Sequence, residues 1–313
     1  MNRINNKDGP WSIILAGGDG ERLRPLTERW LGRHKPKQYC TFVGTRSMFQ
    51  HTVDRTNQIS TPERTVVLIA QTHAREVQSQ LVPAKAGTVV IQPKNCDTAV
   101  GIFLALTRVR AHDPDATVII FPSDHFVYPE DRFIELVKTV ARAARGTAHW
   151  LFLLGALPDR PEPDYGWIEL GRHLAWKNEY HVLAVKRFLE KPVPERCRQA
   201  MAGGALWNTM IMAGRSETLW QMGWTCFPEV MRLFEVYGEA IGKGDEARVL
   251  EGIYEVMPVR NFSTHLLERV QRQLAVVEMT GVRWCDWGRP HRILETLVQV
   301  GKRPVFSVEQ AAG

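Results

Sequence analysis

Residues 12–27 read SIILAGGDGERLRPLT, a short apolar run that passes directly into a glycine-rich loop. Three glycines within residues 17–20 let the backbone approach a bulky anion with amide N–H groups facing it. Arg22 adds a planar fork of donors for phosphate oxygens. No Gly-Lys-Ser/Thr follows, so the loop is not a P-loop, and Leu23 stands where a dinucleotide fingerprint needs its third glycine. An isolated Gly-Gly pair would indicate only a strand-to-helix turn, but the whole string predicts a phosphate-binding loop.

Short apolar segments alternate with helix-like segments throughout the first half of the chain. The strand-like segments are Ser12–Ala16, Arg64–Ala70, Gly87–Gln92, Ala116–Phe121 and Trp150–Gly155. Fully apolar strands separated by helices predict an α/β fold with a mostly parallel central sheet and helices on both faces. Such sheets bind ligands at the carboxyl ends of their strands, so we expect the chemistry just after Ala16, Gln92 and Phe121.

The second half of the chain is more mixed in its patterning. Residues 181–190 and 274–280 read as strands, Ser216–Ile241 as helical, and residues 290–300 as a closing helix. No internal repeat, low-complexity tract or clear linker is visible in the sequence. A single continuous sheet serving two half-sites is the simplest arrangement.

The composition is that of an ordinary globular protein, with 44% hydrophobic and 24% charged residues. The net charge of +6 fits either solubility or anionic ligands such as phosphorylated metabolites. There is no run of like charges or Arg/Lys–aromatic pattern that would support nucleic-acid binding. Five scattered cysteines argue against a disulfide framework or structural zinc. With no secretory signal and no apolar run of about 18 residues, we expect a soluble cytoplasmic protein that binds no membrane.

Further motifs follow the glycine loop, several of them at predicted strand ends. They are KPKQ (35–38), FPSDH (121–125), YGWIE (165–169), FLEKP (188–192), LWN (206–208) and WCDWG (284–288). Asp124 is a plausible oxygen ligand for Mg²⁺, which binds through few protein groups plus substrate phosphates. An isolated Asp at this point would more simply cap a loop. Taken alone, the Glu190–Lys191 pair is equally compatible with a surface salt bridge.

The glycine loop followed by KPKQ resembles the signature of the sugar-phosphate nucleotidyltransferases. P-x-D-H at residues 122–125 resembles the mannose-1-phosphate guanylyltransferase branch in particular. The resemblance spans about residues 11–300 and implies a Rossmann-like nucleotide-diphospho-sugar transferase fold. It also implies one catalytic domain over residues 1–313, with a nucleotide-binding half at 11–150 and a sugar-phosphate half at 151–300. Many relatives carry a C-terminal β-helix or isomerase module, which we do not expect here at full size.

The resemblance also implies a role for individual residues. Those matching the nucleotide site are Leu15, Ala16, Gly17, Gly18, Gly20, Gln92, Asp97 and Thr98. Those matching the catalytic site are Arg22, Lys37, Asp124, Lys191 and Asp286, of which Asp124 and Asp286 match Mg²⁺ ligands. Those matching the sugar site are Gly166, Glu190 and Asn208. Lys37 then faces the α-phosphate, Arg22 the pyrophosphate leaving group and Lys191 the sugar phosphate, while His125 orients Asp124.

The base and sugar pockets depart from the family pattern. Where the guanylyltransferases read E-P-x-x-R-N-T-A, residues 92–99 read QPKNCDTA. Asp97 suits the guanine N1–H and amine as an acceptor, or it caps the helix that begins at Thr98. Gln92 also suits uracil or thymine. The usual Ser-Gly after the W-N pair is Thr-Met at residues 209–210, which reshapes the sugar pocket.

The resemblance implies an enzyme that joins a nucleoside triphosphate to a sugar 1-phosphate and releases pyrophosphate, with Mg²⁺ as cofactor. GTP and mannose 1-phosphate are the favoured pair. A uridylyl-, thymidylyl- or adenylyltransferase for another sugar 1-phosphate and a nucleotide-sugar sensor that does not turn over remain alternatives. The missing third glycine argues against an oxidoreductase on a dinucleotide-binding fold. The expected partners are the two substrates, with no nucleic acid, and a homodimer stays open.

Overall fold

A computed structural model of the protein describes residues 9–84, 86–174 and 180–311. Its strands, in chain order, are β1 (Trp11–Ala16), β2 (Thr65–Ala70), β3 (Thr88–Gln92), β4 (Thr117–Pro122), β5 (Phe126–Tyr128), β6 (Leu151–Ala156), β7 (Trp167–His173), β8 (Val182–Leu189), β9 (Leu206–Arg215), β10 (Leu274–Glu278) and β11 (Arg283–Cys285). Nine of them form one sheet, and β5 pairs with β11 in a separate ribbon.

The nine-stranded sheet has the spatial order β3-β2-β1-β4-β9-β6-β10-β8-β7. Strands β3, β2, β1 and β4 pair in parallel, and so do β6 and β10. Strand β9 runs antiparallel to β4, β6 and β7, and β8 runs antiparallel to β10 and β7. Seven strands therefore share one direction, which confirms the expected mostly parallel sheet. Strand β9, inserted between β4 and β6, joins the two halves of the chain.

The α-helices, in chain order, are α1 (Arg24–Leu31), α2 (Met48–Thr56), α3 (Ala74–Ala84), α4 (Asp97–His112), α5 (Glu130–Arg145), α6 (Pro194–Ala202), α7 (Ser216–Cys226), α8 (Pro228–Ala240), α9 (Glu246–Glu255), α10 (Pro290–Gln299) and α11 (Val308–Ala311). The prediction of one helix over Ser216–Ile241 is wrong. Phe227 has an extended φ of −149°, because the residue before a proline is disfavoured in the helical region, and Pro228 then begins α8.

Both faces of the sheet are covered by apolar packing, as expected. Along β4, the buried side chains of Val118 and Ile120 join a cluster that contains α4, α7 and α8. Their neighbours Ile119 and Phe121 join a second cluster, on the opposite face, that contains α5. This alternation follows from the two-residue period of a strand. Among the described residues, no helix is both long and apolar enough to cross a membrane.

Candidate active site

The glycine loop leaves the carboxyl end of β1, beside the carboxyl end of β4. The parallel register sets Leu15 opposite Pro122. Both the backbone N–H and the hydroxyl of Ser123 donate to the carbonyl of Leu15, at 3.0 and 2.7 Å. The loop and the FPSDH segment are therefore neighbours, because adjacent parallel strands end at the same edge of the sheet.

Each glycine of the loop stands in a different environment. A Cβ on Gly17 would lie 3.4 Å from the amide nitrogen of Ala70, whereas a Cβ on Gly18 would meet open space. Gly20 has φ +66°, and its Cβ would lie 2.9 Å from the amide nitrogen of Lys37. Only glycine suits this last position, since it combines a left-handed backbone with close packing. The loop therefore rests directly on the KPKQ segment.

Lys37 contacts two other predicted catalytic residues, Asp124 and Asp286. Its side chain is almost fully buried, and its Nζ lies 2.7 Å from Oδ2 of Asp124. The same ammonium donates to the main-chain carbonyl of Asp286. Asp124 and Asp286 thus contact one cation, although Asp286 lies 249 positions from Lys37 in the chain.

The carboxylate of Asp286 is almost fully buried and is surrounded by donors. Its Oδ1 accepts from the Tyr165 hydroxyl at 2.6 Å, the Gly288 amide at 2.9 Å and Nη1 of Arg292 at 3.1 Å. Its Oδ2 lies 3.2 Å from Nη2 of Arg22, which is half exposed. A Cβ on Gly288 would come within 2.6 Å of both Asp286 and Arg22, so glycine keeps this contact open.

Both acidic residues are ionised in this setting. Burial acts to raise the pKa of Asp124, but Lys37 and then His125 outweigh it, and the pKa lies below its usual range. Burial is likewise outweighed at Asp286, chiefly by Lys37 and the Tyr165 hydroxyl, so its pKa is held far below the usual range. Two ionised carboxylates fit Mg²⁺, which takes one or two carboxylates plus substrate phosphates. Among the described residues no group of three or more acidic, His or Cys side chains could hold an ion.

The largely buried ring of His125 is neutral and lies beside Asp124. Burial lowers the pKa of His125 to about 4, although Asp124 opposes the effect. Trp284 donates from its indole nitrogen to Nδ1 of His125 at 3.3 Å. The neutral ring therefore carries its proton on Nε2, which lies 3.6 Å from Oδ1 of Asp124. This arrangement fits the orienting role expected from the sequence.

The predicted sugar-site residues also lie together. A Cβ on Gly166 would lie 2.9 Å from Oε2 of Glu190 and 3.2 Å from Cβ of Asn208. The backbone N–H of Asn208 donates to the Gly166 carbonyl at 2.8 Å. Burial raises the pKa of Glu190 despite the exposed Lys191, whose Nζ lies 3.3 Å from Oε1. Gly166 therefore packs closely against both Glu190 and Asn208, and the three predicted sugar-site residues form one cluster.

The predicted base-site side chains are engaged within the protein. Gln92 is buried and donates to the carbonyl of residue 94 at 2.8 Å. Oδ1 of Asp97 accepts from the Thr98 amide at 2.6 Å and from Nδ2 of Asn261 at 3.1 Å. The Thr98 hydroxyl accepts from the amide of Phe262 at 2.9 Å. Asp97 thus binds the amide of the next residue and a distant asparagine.

Comparison with known proteins places the chain in a family. A sequence profile of the nucleotidyl transferase family matches residues 11–303. This chain belongs to that family. The mannose-1-phosphate guanylyltransferase of Escherichia coli K12 is 28% identical to it over 284 residues, which cover 89% of this chain and 58% of the relative. The chain thus spans less than two thirds of that relative's length.

Solved structures share the fold at lower identity. One, described as mannose-1-phosphate geranyltransferase from Thermus thermophilus, has a TM-score of 0.76 and 22% identity and covers 91% of this chain and 78% of its own. Another, described as mannose-6-phosphate isomerase from Helicobacter pylori, has a TM-score of 0.66 and 18% identity, with 88% and 99% covered. These likenesses show the fold alone.

The strained backbone of this nucleotidyl transferase family member falls at the motifs. Among residues 9–84, 86–174 and 180–311, the non-glycine residues with positive φ are Asp97 (69°), Lys191 (45°), Met210 (56°) and Trp287 (47°). Such residues concentrate at functional sites. Asp and Asn tolerate the left-handed region, which accounts for either one at position 97. Met210 stands where the family usually has glycine, so the departure seen in the sequence is a conformational one.

Sequence reasoning missed several residues that shape the site. Arg292 is buried and binds Asp286, Asp164 and Glu162 together. Its position on α10, six residues after Asp286, carries no motif, and the two acidic partners near residue 163 lie over 100 residues away. Tyr165 belongs to the YGWIE motif, but nothing in the sequence indicates that its hydroxyl binds Asp286. Only the three-dimensional contacts reveal these residues.

Proposed function

We propose that this protein transfers a guanylyl group from GTP to mannose 1-phosphate and releases pyrophosphate. The observation that carries the proposal is the buried Lys37 ammonium, which contacts Asp124 and Asp286 beside the glycine loop. Such a cluster of ionised carboxylates and cations at the carboxyl edge of the sheet suits a reaction between two polyanions. The guanylyltransferase of Escherichia coli named above supports the choice of substrates.

The chemistry needs positioning and charge neutralisation rather than a strong base. A sugar phosphate oxygen attacks the α-phosphorus in line, the new P–O bond forms, and the bond to pyrophosphate breaks. Because the nucleophile is already an anion, no general base is required. Fixed charges that complement the developing negative charge stabilise the transition state. Asp124 and Asp286 would hold Mg²⁺, which when bound would neutralise negative charge on the phosphates.

The remaining side chains divide the two substrates between them. In this proposal Lys37 faces the α-phosphate and Arg22 the leaving pyrophosphate. On the sugar side, Lys191 is exposed and can meet the incoming phosphate. Glu190 and Asn208 flank the Gly166 backbone and bind sugar hydroxyls. Glu190 is suited to this because its partner Lys191 contacts Oε1 and leaves Oε2 toward Gly166.

The contacts of Asp97 favour a second candidate for the base. The carboxylate of Asp97 accepts from Thr98 and Asn261, so part of its capacity for guanine is already used. A transferase for uridylyl, thymidylyl or adenylyl groups, acting on another sugar 1-phosphate, is therefore the second candidate. The glycine loop, Lys37 and the carboxylates serve any of these bases equally.

Pyrophosphate release with a substrate panel tests the proposal. GTP, UTP, dTTP and ATP are each paired with mannose 1-phosphate and glucose 1-phosphate, with and without Mg²⁺. Asp124→Asn is the inactive comparison, and Asp131→Asn, on the exposed surface of α5, is its matched control. Release with GTP and mannose 1-phosphate only is the expected result. Release with another pair would replace the substrates, and nucleotide binding without release would favour a sensor. Light scattering of the same sample distinguishes a monomer from a homodimer, the question that the sequence leaves open.

A further inference from the structure

The glycine loop has chemistry that should repel the ligand it is expected to hold. Besides its carbonyl oxygens, the loop contains two acidic side chains, Asp19 and Glu21. A polyphosphate needs amide N–H groups facing it instead. In a planar trans peptide the C=O of one residue and the N–H of the next point in opposite directions. Whatever holds the carbonyls therefore sets the direction of the amides.

Two buried side chains hold the first carbonyls of the loop. Nε2 of Gln38 donates to the carbonyls of Ala16 at 3.0 Å and Gly18 at 2.7 Å. The Tyr39 hydroxyl donates to the Ala16 carbonyl as well, at 2.7 Å. Both donors are almost fully buried beneath the loop. By peptide planarity, the amides of residues 17 and 19 point away from Gln38 and Tyr39.

Two histidines hold Asp19 from its main chain and its side chain. Nε2 of His34 lies 3.0 Å from the carbonyl of Asp19, which turns the amide of residue 20 the opposite way. Nε2 of His73 lies 3.1 Å from Oδ1 of Asp19. Because a carbonyl and a carboxylate only accept, both rings donate from Nε2. His73 is buried, and its ring meets the Tyr39 ring edge-on with centroids 5.6 Å apart, so it belongs to the same buried layer.

The second acid of the loop is paired more loosely. Oε1 of Glu21 lies 3.0 Å from Nη2 of Arg24, and both side chains are exposed. An exposed pair of this kind contributes little. The Asp19–His73 contact, with one buried partner, is the one that can determine where a loop carboxylate stands.

We propose that His34, Gln38, Tyr39 and His73 are positioning residues that hold the carbonyls and the Asp19 carboxylate on the buried side of the loop. The amides of residues 17, 19 and 20 then face a polyphosphate chain. These four residues need not touch the ligand. The inference deepens the proposed function, since it rests on the loop being the polyphosphate site, but it is independent of the base and the sugar.

The test measures binding of inorganic pyrophosphate, inorganic tripolyphosphate and guanosine by calorimetry in Mg²⁺. Gln38→Leu and His34→Leu should weaken tripolyphosphate binding by about tenfold or more, because each removes a bond that orients donors toward a charged ligand. Pyrophosphate should lose less, and guanosine should change less than about twofold. His34→Gln, which keeps a donor, should bind nearly as wild type. Gln271→Leu is the control, because this amide bonds to Phe188 and Glu268, away from the loop.

A double variant separates positioning from structural support. His73→Leu leaves the Asp19 carboxylate without its buried donor and should weaken tripolyphosphate binding. Adding Asp19→Asn removes the repelling charge and should restore at least part of that binding, whereas a merely structural defect would not be rescued. Unchanged binding in all the leucine variants, with wild-type protein that binds, overturns the inference alone. Wild-type protein that binds neither phosphate probe overturns the proposed function instead. Melting temperatures identify any variant that fails to fold, and the partly exposed His34 keeps the test available.

Discussion

Lys37 and Asp124 form an ion pair of 2.7 Å in which the lysine side chain is almost entirely removed from solvent. Replacing this lysine leaves two neighbouring carboxylates without their shared cation. We expect Lys37→Met to reduce pyrophosphate release by about 100-fold or more, the scale seen when one preorganised electrostatic group is lost. Lys138→Met, which removes a partly exposed lysine that pairs with Glu135 on α5, should retain turnover. Equal rates in the two variants would contradict a catalytic role for Lys37.

The low pKa of Asp286 predicts how stability responds to acid. Because its folded-state pKa lies far below the unfolded value of about 3.9, the unfolded chain binds more protons as pH falls. The stabilisation is therefore fully present above about pH 5 and is lost progressively below it. Asp286→Asn should be less stable at pH 7 and should lose less stability between pH 5 and pH 3. Denaturant midpoints at several pH values measure this, and parallel curves would refute the assignment.

Arg292 should support both the fold and the geometry of Asp286. It is buried among Asp286, Asp164 and Glu162, so Arg292→Met leaves buried charge uncompensated. We expect a loss of about 3–5 kcal/mol in the free energy of unfolding and a higher Mg²⁺ concentration for half-maximal turnover. Arg289→Met is the matched control, since Arg289 binds the same Asp164 at 2.9 Å but is exposed. Its cost should stay below about 1 kcal/mol.

Met210 tests whether the strained backbone within β9 affects stability and binding of the sugar 1-phosphate. With φ +56°, its conformation costs about 1–3 kcal/mol that glycine would not incur. Met210→Gly should therefore destabilise by at least about 1 kcal/mol less than Met201→Gly, the same change at a partly buried residue within α6. It should also alter KM for the sugar 1-phosphate more than KM for the nucleotide, because the Met210 amide donates to Oδ1 of Asn208. Equal destabilisation of the two variants would exclude strain at position 210.

Gly166 tests the sugar site directly. A methyl group here would press on Glu190 at 2.9 Å and Asn208 at 3.2 Å. We expect Gly166→Ala to raise KM for the sugar 1-phosphate severalfold and to leave nucleotide affinity unchanged. Gly252→Ala provides the control, because a Cβ at that position in α9 meets nothing within 4 Å and the helix favours alanine. If only nucleotide binding changed, the assignment of Gly166 to the sugar site would be wrong.

Local patterns predicted the parts of the site that lie at strand ends. The glycine loop and Asp124 follow β1 and β4. The carboxyl end of each strand can be predicted because the apolar run stops there, and ligands bind at such ends. Strand β9 was not predicted from the sequence. It is buried on both faces, so it lacks the alternating pattern of a half-exposed strand, and no local pattern encodes its antiparallel direction. Arg292 could not be found at all from local patterns. Its partners lie up to 130 residues away in the chain, and only the tertiary fold brings them into contact.

The conformation of single residues was also out of reach. The substitutions at positions 97 and 210 read as changes of side-chain chemistry in the sequence. In the structure both positions have positive φ, so backbone conformation constrains them before any ligand does. A single sequence lists residue types but does not contain dihedral angles.

Strand β9 also limits how substrates can enter. It is hydrogen-bonded to β4, from the first half of the chain, on one side and to β6, from the second half, on the other. A hinge motion that separated the two halves would break backbone hydrogen bonds along β9, and unpaired buried peptide groups are costly. The two halves of the sheet are therefore expected to move together as one rigid unit. We therefore expect the segments that connect the strands, the glycine loop among them, to be the parts that move when ligands bind and leave.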